Sequence, residues 1–275
     1  MLPGCPRHHI LFSRLLDHRT DYSTARIEGL RETSATVDSE EIGRFAAQAG
    51  SWWDPKGNFR PLHRLNPIRL GFIRQHLQAH FGRNPAALRP FEGLTLLDIG
   101  CGGGLIAEPM SRLGFAVTGI DADAEAIAIA QAHAQGVGLA IDYRVTTAES
   151  MADADQRFDA VLALEVIEHV ADQAIFLGSL GVLVRQSGAF LGATLNRTAR
   201  SFALAIIGAE YIFGWLPRGT HDWRRFMRPS EFVLGLRRNG LHAAQLTGVS
   251  YDLARGGWSL SRDLEVNYMV MAARK

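Results

Sequence analysis

Cysteine is scarce in this chain of 275 residues: Cys5 and Cys101 are the only two, and no pair stands at metal-ligand spacing. That excludes a disulfide framework and points to a reducing, cytoplasmic compartment. Long apolar runs are missing too. Without a stretch of about 20 apolar residues, no segment reads as a membrane-spanning helix. Net charge is close to nil: 29 basic side chains face 28 acidic ones, for a formal charge of +1. A surface that tracks a nucleic acid backbone throughout is excluded, and no nucleic-acid partner is expected. With 47% hydrophobic and 21% charged residues, disordered and collagen-like classes drop out as well.

Residues 1–37 lack the apolar core of a secretory signal and read as a disordered tail. Arg7, Arg14 and Arg19 with one early acid, Asp17, resemble a mitochondrial transit segment, against which Asp21, Glu28 and Glu32 argue. The Asn196-Arg197-Thr198 sequon means little without an export signal. Residues 38–93 read as a helical cap. Asp38 with Glu41 has capping-box spacing, and Ile42, Phe45, Ala46 and Ala49 continue a helix over Ser39–Ala49. Asn66-Pro67 supplies an N-cap and first-turn proline for a second helix, with Ile68, Phe72, Ile73, Leu77 and Phe81 on its apolar face. Asn84–Glu92 reads as a linker.

From residue 94 to 275, short apolar runs alternate with helical segments, which is the pattern of βαβ units. Strands are expected at Thr95–Ile99, Ala116–Ile120, Ile141–Val145, Asp159–Leu164, Ala189–Thr194, Ala244–Val249 and Asn267–Ala272. Helices are expected at Leu105–Leu113, Ala124–Gln135, Ala171–Val184 and Pro229–Asn239. The fold class is α/β and Rossmann-like: a seven-stranded, mostly parallel sheet ending in a hairpin, with the N-terminal helical cap and an inserted lid at 196–228.

The strongest local signal is Leu96-Leu97-Asp98-Ile99-Gly100-Cys101-Gly102-Gly103-Gly104, a strand that runs into glycines and then a helix. Glycine lets backbone N–H groups approach a ligand where a Cβ would collide, and the helix start presents unpaired donors. Asp121 closes the next strand, where an acid takes both hydroxyls of a ribose. A nucleoside-type cofactor follows. Gly102-x-Gly104-x-x-Ala107 also satisfies the dinucleotide fingerprint, so spacing alone leaves an NAD(P)-dependent oxidoreductase open. Charge favours another ligand. Asp98 at the strand end would repel a pyrophosphate and suits a cation such as S-adenosylmethionine, which carries an ammonium and a sulfonium.

Thr147-Ala148-Glu149-Ser150 follows the third strand as a loop that either edges an adenine or does nothing specific. The fourth strand ends in Ala163-Leu164-Glu165-Val166-Ile167-Glu168-His169-Val170, which puts two carboxylates and an imidazole at the carboxyl edge, where open α/β sheets hold ligands. Leu164 is placed to pack on an adenine face.

From Asp38 to Lys275 the chain resembles the ubiquinone biosynthesis O-methyltransferases, a family of class I S-adenosylmethionine-dependent enzymes. The match is carried by Ser51-Trp52-Trp53-Asp54, the stretch Phe59–Arg69, the glycine loop, Glu165–Val170, Thr194–Arg197, Gly208–Tyr211, Pro217–Trp223 and Asp263–Met269. The glycine loop and Glu165–Val170 are common to many methyltransferases; the others are more particular. The resemblance implies methyl transfer to phenolic hydroxyls of a polyprenyl catechol, 2-polyprenyl-6-hydroxyphenol, and of 3-demethylubiquinol. It implies donor contacts at Arg69, Gly100, Asp121 and Leu164, beside Asp98 and Gly102 of the loop. Arg69 would pair with the methionine carboxylate; from the residues alone it reads as a solvated helix position.

The resemblance further implies Mg²⁺ at Glu165, Glu168 and His169. The competing reading is acids favoured by a helix start, with His169 as a cap or general base. His169 and His221 both remain candidates to accept the phenol proton. Ser201–Leu216 is sixteen residues with one charge, Glu210, flanked by Arg197, Arg200, Arg218, Arg224, Arg225 and Arg228. That composition suits either an interfacial anchor on anionic lipid at the inner face of the membrane, covering the entrance for a prenylated substrate, or a lid packed on the domain. Other enzymes of ubiquinone biosynthesis are possible partners, and a catalytically silent, lipid-binding adapter is the remaining alternative.

Overall fold

The computed structural model describes residues 52–57, 59–203, 222–252 and 256–275. The expected tail, the helix over Ser39–Ala49, His221 and most of the apolar segment after Ser201 lie outside the described residues.

Eight strands form one sheet: β1 (Thr95–Ile99), β2 (Ala116–Asp121), β3 (Asp142–Val145), β4 (Phe158–Leu164), β5 (Val184–Leu195), β6 (Leu241–Asp252), β7 (Gly257–Ser261) and β8 (Asn267–Arg274). Their order across the sheet is β3-β2-β1-β4-β5-β8-β6-β7. The pairs among β1 to β5 are parallel, and β8 runs antiparallel between β5 and β6. The doubly wound, mostly parallel class is as expected; the count differs by one strand. β7 was not anticipated, because its short run pairs only with the extension of β6, from Gly248↔Ser261 to Asp252↔Gly257, and it stays half solvated at the sheet edge.

The helices are α1 (Arg60–His80), α2 (Ala107–Arg112), α3 (Ala124–Gly136), α4 (Ala148–Asp153), α5 (Gln173–Leu183) and α6 (Pro229–Arg238). Strand alternation feeds two cores, one on each face. Leu96, Ala160, Leu162 and Leu191 pack with Phe72, Ile73 and Leu77 of α1, Met110 of α2 and Ile127 of α3. Leu97, Ile99, Val161 and Phe190 pack on the other face with Met151 of α4, Phe176 and Leu180 of α5, and Phe232 of α6.

Two expectations about helices are corrected. Asn66-Pro67 does not begin α1: the helix starts at Arg60 with Pro61 in its first turn and runs through Pro67. An interior proline removes one backbone hydrogen bond, but Leu65, Asn66 and Arg69 on either side are buried, and this packing keeps the helix continuous. The stretch after β3 is no loop. Thr147 caps α4 by accepting the Ser150 N–H through its side chain, a cap signal the sequence does carry.

Candidate active site

At the carboxyl ends of β1 and β2 two acids converge. Asp98 follows Leu96 by two residues, so the pleat turns it to the α1–α3 face, where it is 3% exposed. It accepts the Ala107 N–H at the start of α2, while its Oδ2 has no hydrogen-bond partner. Burial, and then the charge of Asp121, push its carboxyl up to about 7. Asp121 Oδ2 accepts the Gly102 N–H at 2.9 Å, and its Oδ1 accepts the Asp123 N–H at 2.9 Å. Burial raises Asp121 as well, opposed by those N–H bonds. Desolvated carboxylates without a counter-cation favour a positively charged ligand.

Glycine is required in the intervening loop for steric reasons. Gly100 has φ +67°, and a Cβ there would lie 2.6 Å from Val166 Cγ2. At Gly104, with φ +90°, it would meet the Tyr143 hydroxyl at 2.3 Å. Tyr143, on β3, thus closes the loop from below; its phenol has no hydrogen-bond partner and burial raises it.

At the end of β4 the acids are handled differently. Leu164, half buried, packs against the α1–α3 core. Glu165 follows with φ +57°, a left-handed conformation that costs an ordinary residue about 1 kcal/mol or more. The turn aims its carboxylate at Arg69 of α1: Nη2 donates to Oε1 at 2.5 Å, and Asn267 Nδ2 of β8 approaches the same oxygen at 3.4 Å. Arg69 is 4% exposed, so its reading as a solvated helix residue is corrected: α1 lies against the sheet and carries the guanidinium into the cleft. Glu168 is buried, and its Oε2 accepts the Thr194 hydroxyl at 2.9 Å. Burial first, then the charge and hydrogen bond of Glu165, hold its carboxyl well above the usual range. His169 is half exposed in the same turn and donates its backbone N–H to Val166 O.

Among the described residues no three His, Cys, Asp or Glu side chains are grouped so as to hold a metal ion. Of the three residues expected to hold Mg²⁺, Glu165 is tied to Arg69 in this arrangement, while Glu168 is buried with its Oε1 unpartnered.

The structure brings Asp98, Gly100, Gly102 and Asp121 together, and joins Arg69 to Glu165, beside which Glu168 lies. Thr194, Asn267 and Tyr143 were not singled out for this site; they come from strands distant in sequence, so no local spacing marks them. Of the arginines around the apolar segment, Arg197 pairs with Glu231, Arg200 with Asp263 and Glu265 at 2.8 Å, and Arg224 with Asp222 at 3.1 Å. Their charges are therefore compensated locally. No helix among the described residues is long and apolar enough to cross a membrane.

The Methyltransferase domain family matches residues 97–192, from the first strand to the fifth. The chain is 52% identical over 239 residues to a ubiquinone biosynthesis O-methyltransferase of Paramagnetospirillum magneticum, covering 87% of this chain and 96% of that protein. It is 54% identical over 240 residues to one of Parvibaculum lavamentivorans, with 87% and 95% covered. Among solved structures it resembles the magnesium protoporphyrin IX methyltransferase of Synechocystis with bound S-adenosylmethionine, at a TM-score of 0.58 and 18% identity over 88% of this chain and 100% of that one, a likeness of fold. With half its residues shared along nearly the whole length of such relatives, the chain belongs to the ubiquinone biosynthesis O-methyltransferase family.

Proposed function

We propose that this enzyme methylates phenolic hydroxyls of ubiquinone precursors, a polyprenyl catechol and 3-demethylubiquinol, with S-adenosylmethionine as methyl donor. The observation that carries the reading is the pair of desolvated acids, Asp98 and Asp121, at the glycine loop: a cation relieves them, and a pyrophosphate would add to their repulsion. Family membership gives the oxidoreductase and silent-adapter alternatives no support.

Each side chain has a physical role. Asp98 offers its unpartnered Oδ2 to the ammonium. Asp121 accepts backbone N–H groups on both oxygens and still has lone-pair capacity for the ribose hydroxyls. Gly100 and Gly102 keep the loop backbone bare beside the donor, with Val166 and Trp52 filling the room that a Cβ would need, and Leu164 would pack on the adenine. Arg69 uses one nitrogen on Glu165 and has donors left for the methionine carboxylate. When bound, S-adenosylmethionine supplies a sulfonium methyl for in-line attack by the phenolate oxygen. His169 accepts the phenol proton, with His221 the alternative outside the described residues. Holding the partners in line is worth up to about 7–11 kcal/mol in favourable cases.

The prenyl tail suggests contact with a membrane surface through residues 201–228, a reading supported by the apolar run and by Phe202, 43% exposed at its start, while the paired Arg197, Arg200 and Arg224 add little attraction to anionic lipid. Flotation with anionic vesicles tests it, and equal binding by a Phe202/Ile206/Phe213/Trp215 to Ser variant overturns it. For the reaction, transfer of labelled methyl to a short-tailed catechol is the direct test. Donor binding without transfer, or thermal stabilisation by NADH and not by S-adenosylhomocysteine, overturns the proposal.

A further inference from the structure

The glycine loop is covered by two tryptophans. The Trp52 ring occupies the space that side chains at positions 102 and 103 would need: a Cβ at Gly102 would lie 2.4 Å from Cη2 of the indole, and one at Gly103 would lie 2.5 Å from its Cγ. Trp53 donates its Nε1–H to Gly103 O at 2.9 Å. Each indole is anchored from behind. Trp52 stacks on Phe59, just ahead of α1, with ring centroids 3.7 Å apart, and its carbonyl accepts the Nε2–H of His63 at 2.9 Å. Trp53 stacks on His133 of α3 at 3.5 Å, and that imidazole contacts the buried Glu108 of α2 through Nδ1 at 2.6 Å. The loop is therefore bound to three helices through two indoles. Trp52 Nε1 is buried and has no partner, which leaves one donor open to a ligand acceptor.

We infer that Trp52 and Trp53 form a clasp on the donor-binding loop: they hold its backbone in the conformation that S-adenosylmethionine recognises and slow the donor's release. This rests on the proposed donor site. It also gives the glycines at 102 and 103 a second reason to be glycine, since the indole needs the room as much as a ligand does. Both tryptophans are positioning residues and leave the methyl transfer itself to others.

Calorimetric titration of the full chain with S-adenosylhomocysteine tests the clasp through a double-mutant cycle of Trp52→Ala and Gly103→Ala. Gly103 is outside the positive-φ region, so its substitution displaces the indole without straining the backbone. Each single variant is expected to bind about tenfold more weakly, the scale of losing one preorganised side chain. The double variant is expected to bind no worse than Trp52→Ala alone, because the group that Gly103→Ala displaces is already gone. The donor KM should rise with the acceptor KM unchanged. Trp53→Phe, which keeps the stack on His133 and loses the bond to Gly103, should lie between wild type and Trp52→Ala.

Wild-type affinity in Trp52→Ala, or effects that multiply in the double variant, overturns the clasp while leaving the donor site standing. Failure of the wild type itself to bind overturns both. Should Trp52→Ala not fold, Gly103→Ala decides alone: weakened binding together with red-shifted tryptophan emission supports the clasp, and unchanged affinity overturns it.

Discussion

At the ends of β1 and β2, Asp98 and Asp121 are desolvated and held by backbone N–H groups, and one oxygen of Asp98 has no partner at all. At the end of β4, a few residues away in the sheet, Glu165 carries a guanidinium at 2.5 Å and Glu168 a hydroxyl at 2.9 Å. The first region holds two acids with no cation, whereas the second ties Glu165 to a guanidinium and leaves only Glu168 Oε1 buried and unpartnered. The difference teaches how one cleft divides its work: unrelieved acid is binding energy reserved for a cationic ligand, whereas compensated acid is structure that stays in place with or without one.

The contrast breaks most sharply at Arg69. Arg69→Ala leaves Glu165 without its cation and should lower stability by about 3–5 kcal/mol, read from denaturant melts. A loss below about 1 kcal/mol would mean that the second region is not held by this ion pair.

Asp98→Asn should act in the opposite sense: donor affinity falls about a hundredfold, as for one partner removed from a buried charge pair, while the ligand-free protein becomes more stable. Calorimetry and thermal melts together check both halves of that statement.

The same carboxyl sets a pH dependence. Its folded value of about 7 lies above the ordinary one, so the folded state binds the proton more tightly. The stability that this proton contributes is fully present below the ordinary carboxyl range and is lost as pH rises to about 7. Donor affinity runs the other way, falling by up to about tenfold per unit as pH drops below about 7. A flat affinity between pH 5 and 8 would detach Asp98 from donor binding.

Smaller effects refine the second region and its surroundings. Thr194→Val should cost about 1–2 kcal/mol by removing the partner of buried Glu168. Thr147→Ala, at the cap of α4 and away from both acid pairs, should cost about 1 kcal/mol and leave donor affinity alone.

Much of this site is legible in the sequence. The run from Leu96 to Gly104 and the spacing to Asp121 are local, because a parallel strand, its turn and the next strand place these residues within one βαβ unit. Glu165, Glu168 and His169 were legible as a turn at the carboxyl edge for the same reason. Arg69 was not: its partner stands 96 residues away, and helical periodicity marks faces without saying what they meet. Trp52 and Trp53 were visible as residues, yet nothing local says that an indole lies on Gly102 and Gly103. The proline of Asn66-Pro67 carried a real helix-start signal, which the burial of Leu65 and Asn66 overrode.

The sequence by itself determined the alternation that builds the sheet, the glycine turn and the acids beside it, since strand period, glycine's freedom at positive φ and short connections are properties of neighbouring residues. Tertiary structure decided which acids would be relieved: packing α1 against the sheet carries Arg69 to Glu165 and leaves Asp98 without a cation. It also decided that β7 would pair at the edge and that two indoles would close over the loop. Burial and charge compensation depend on what arrives from far along the chain.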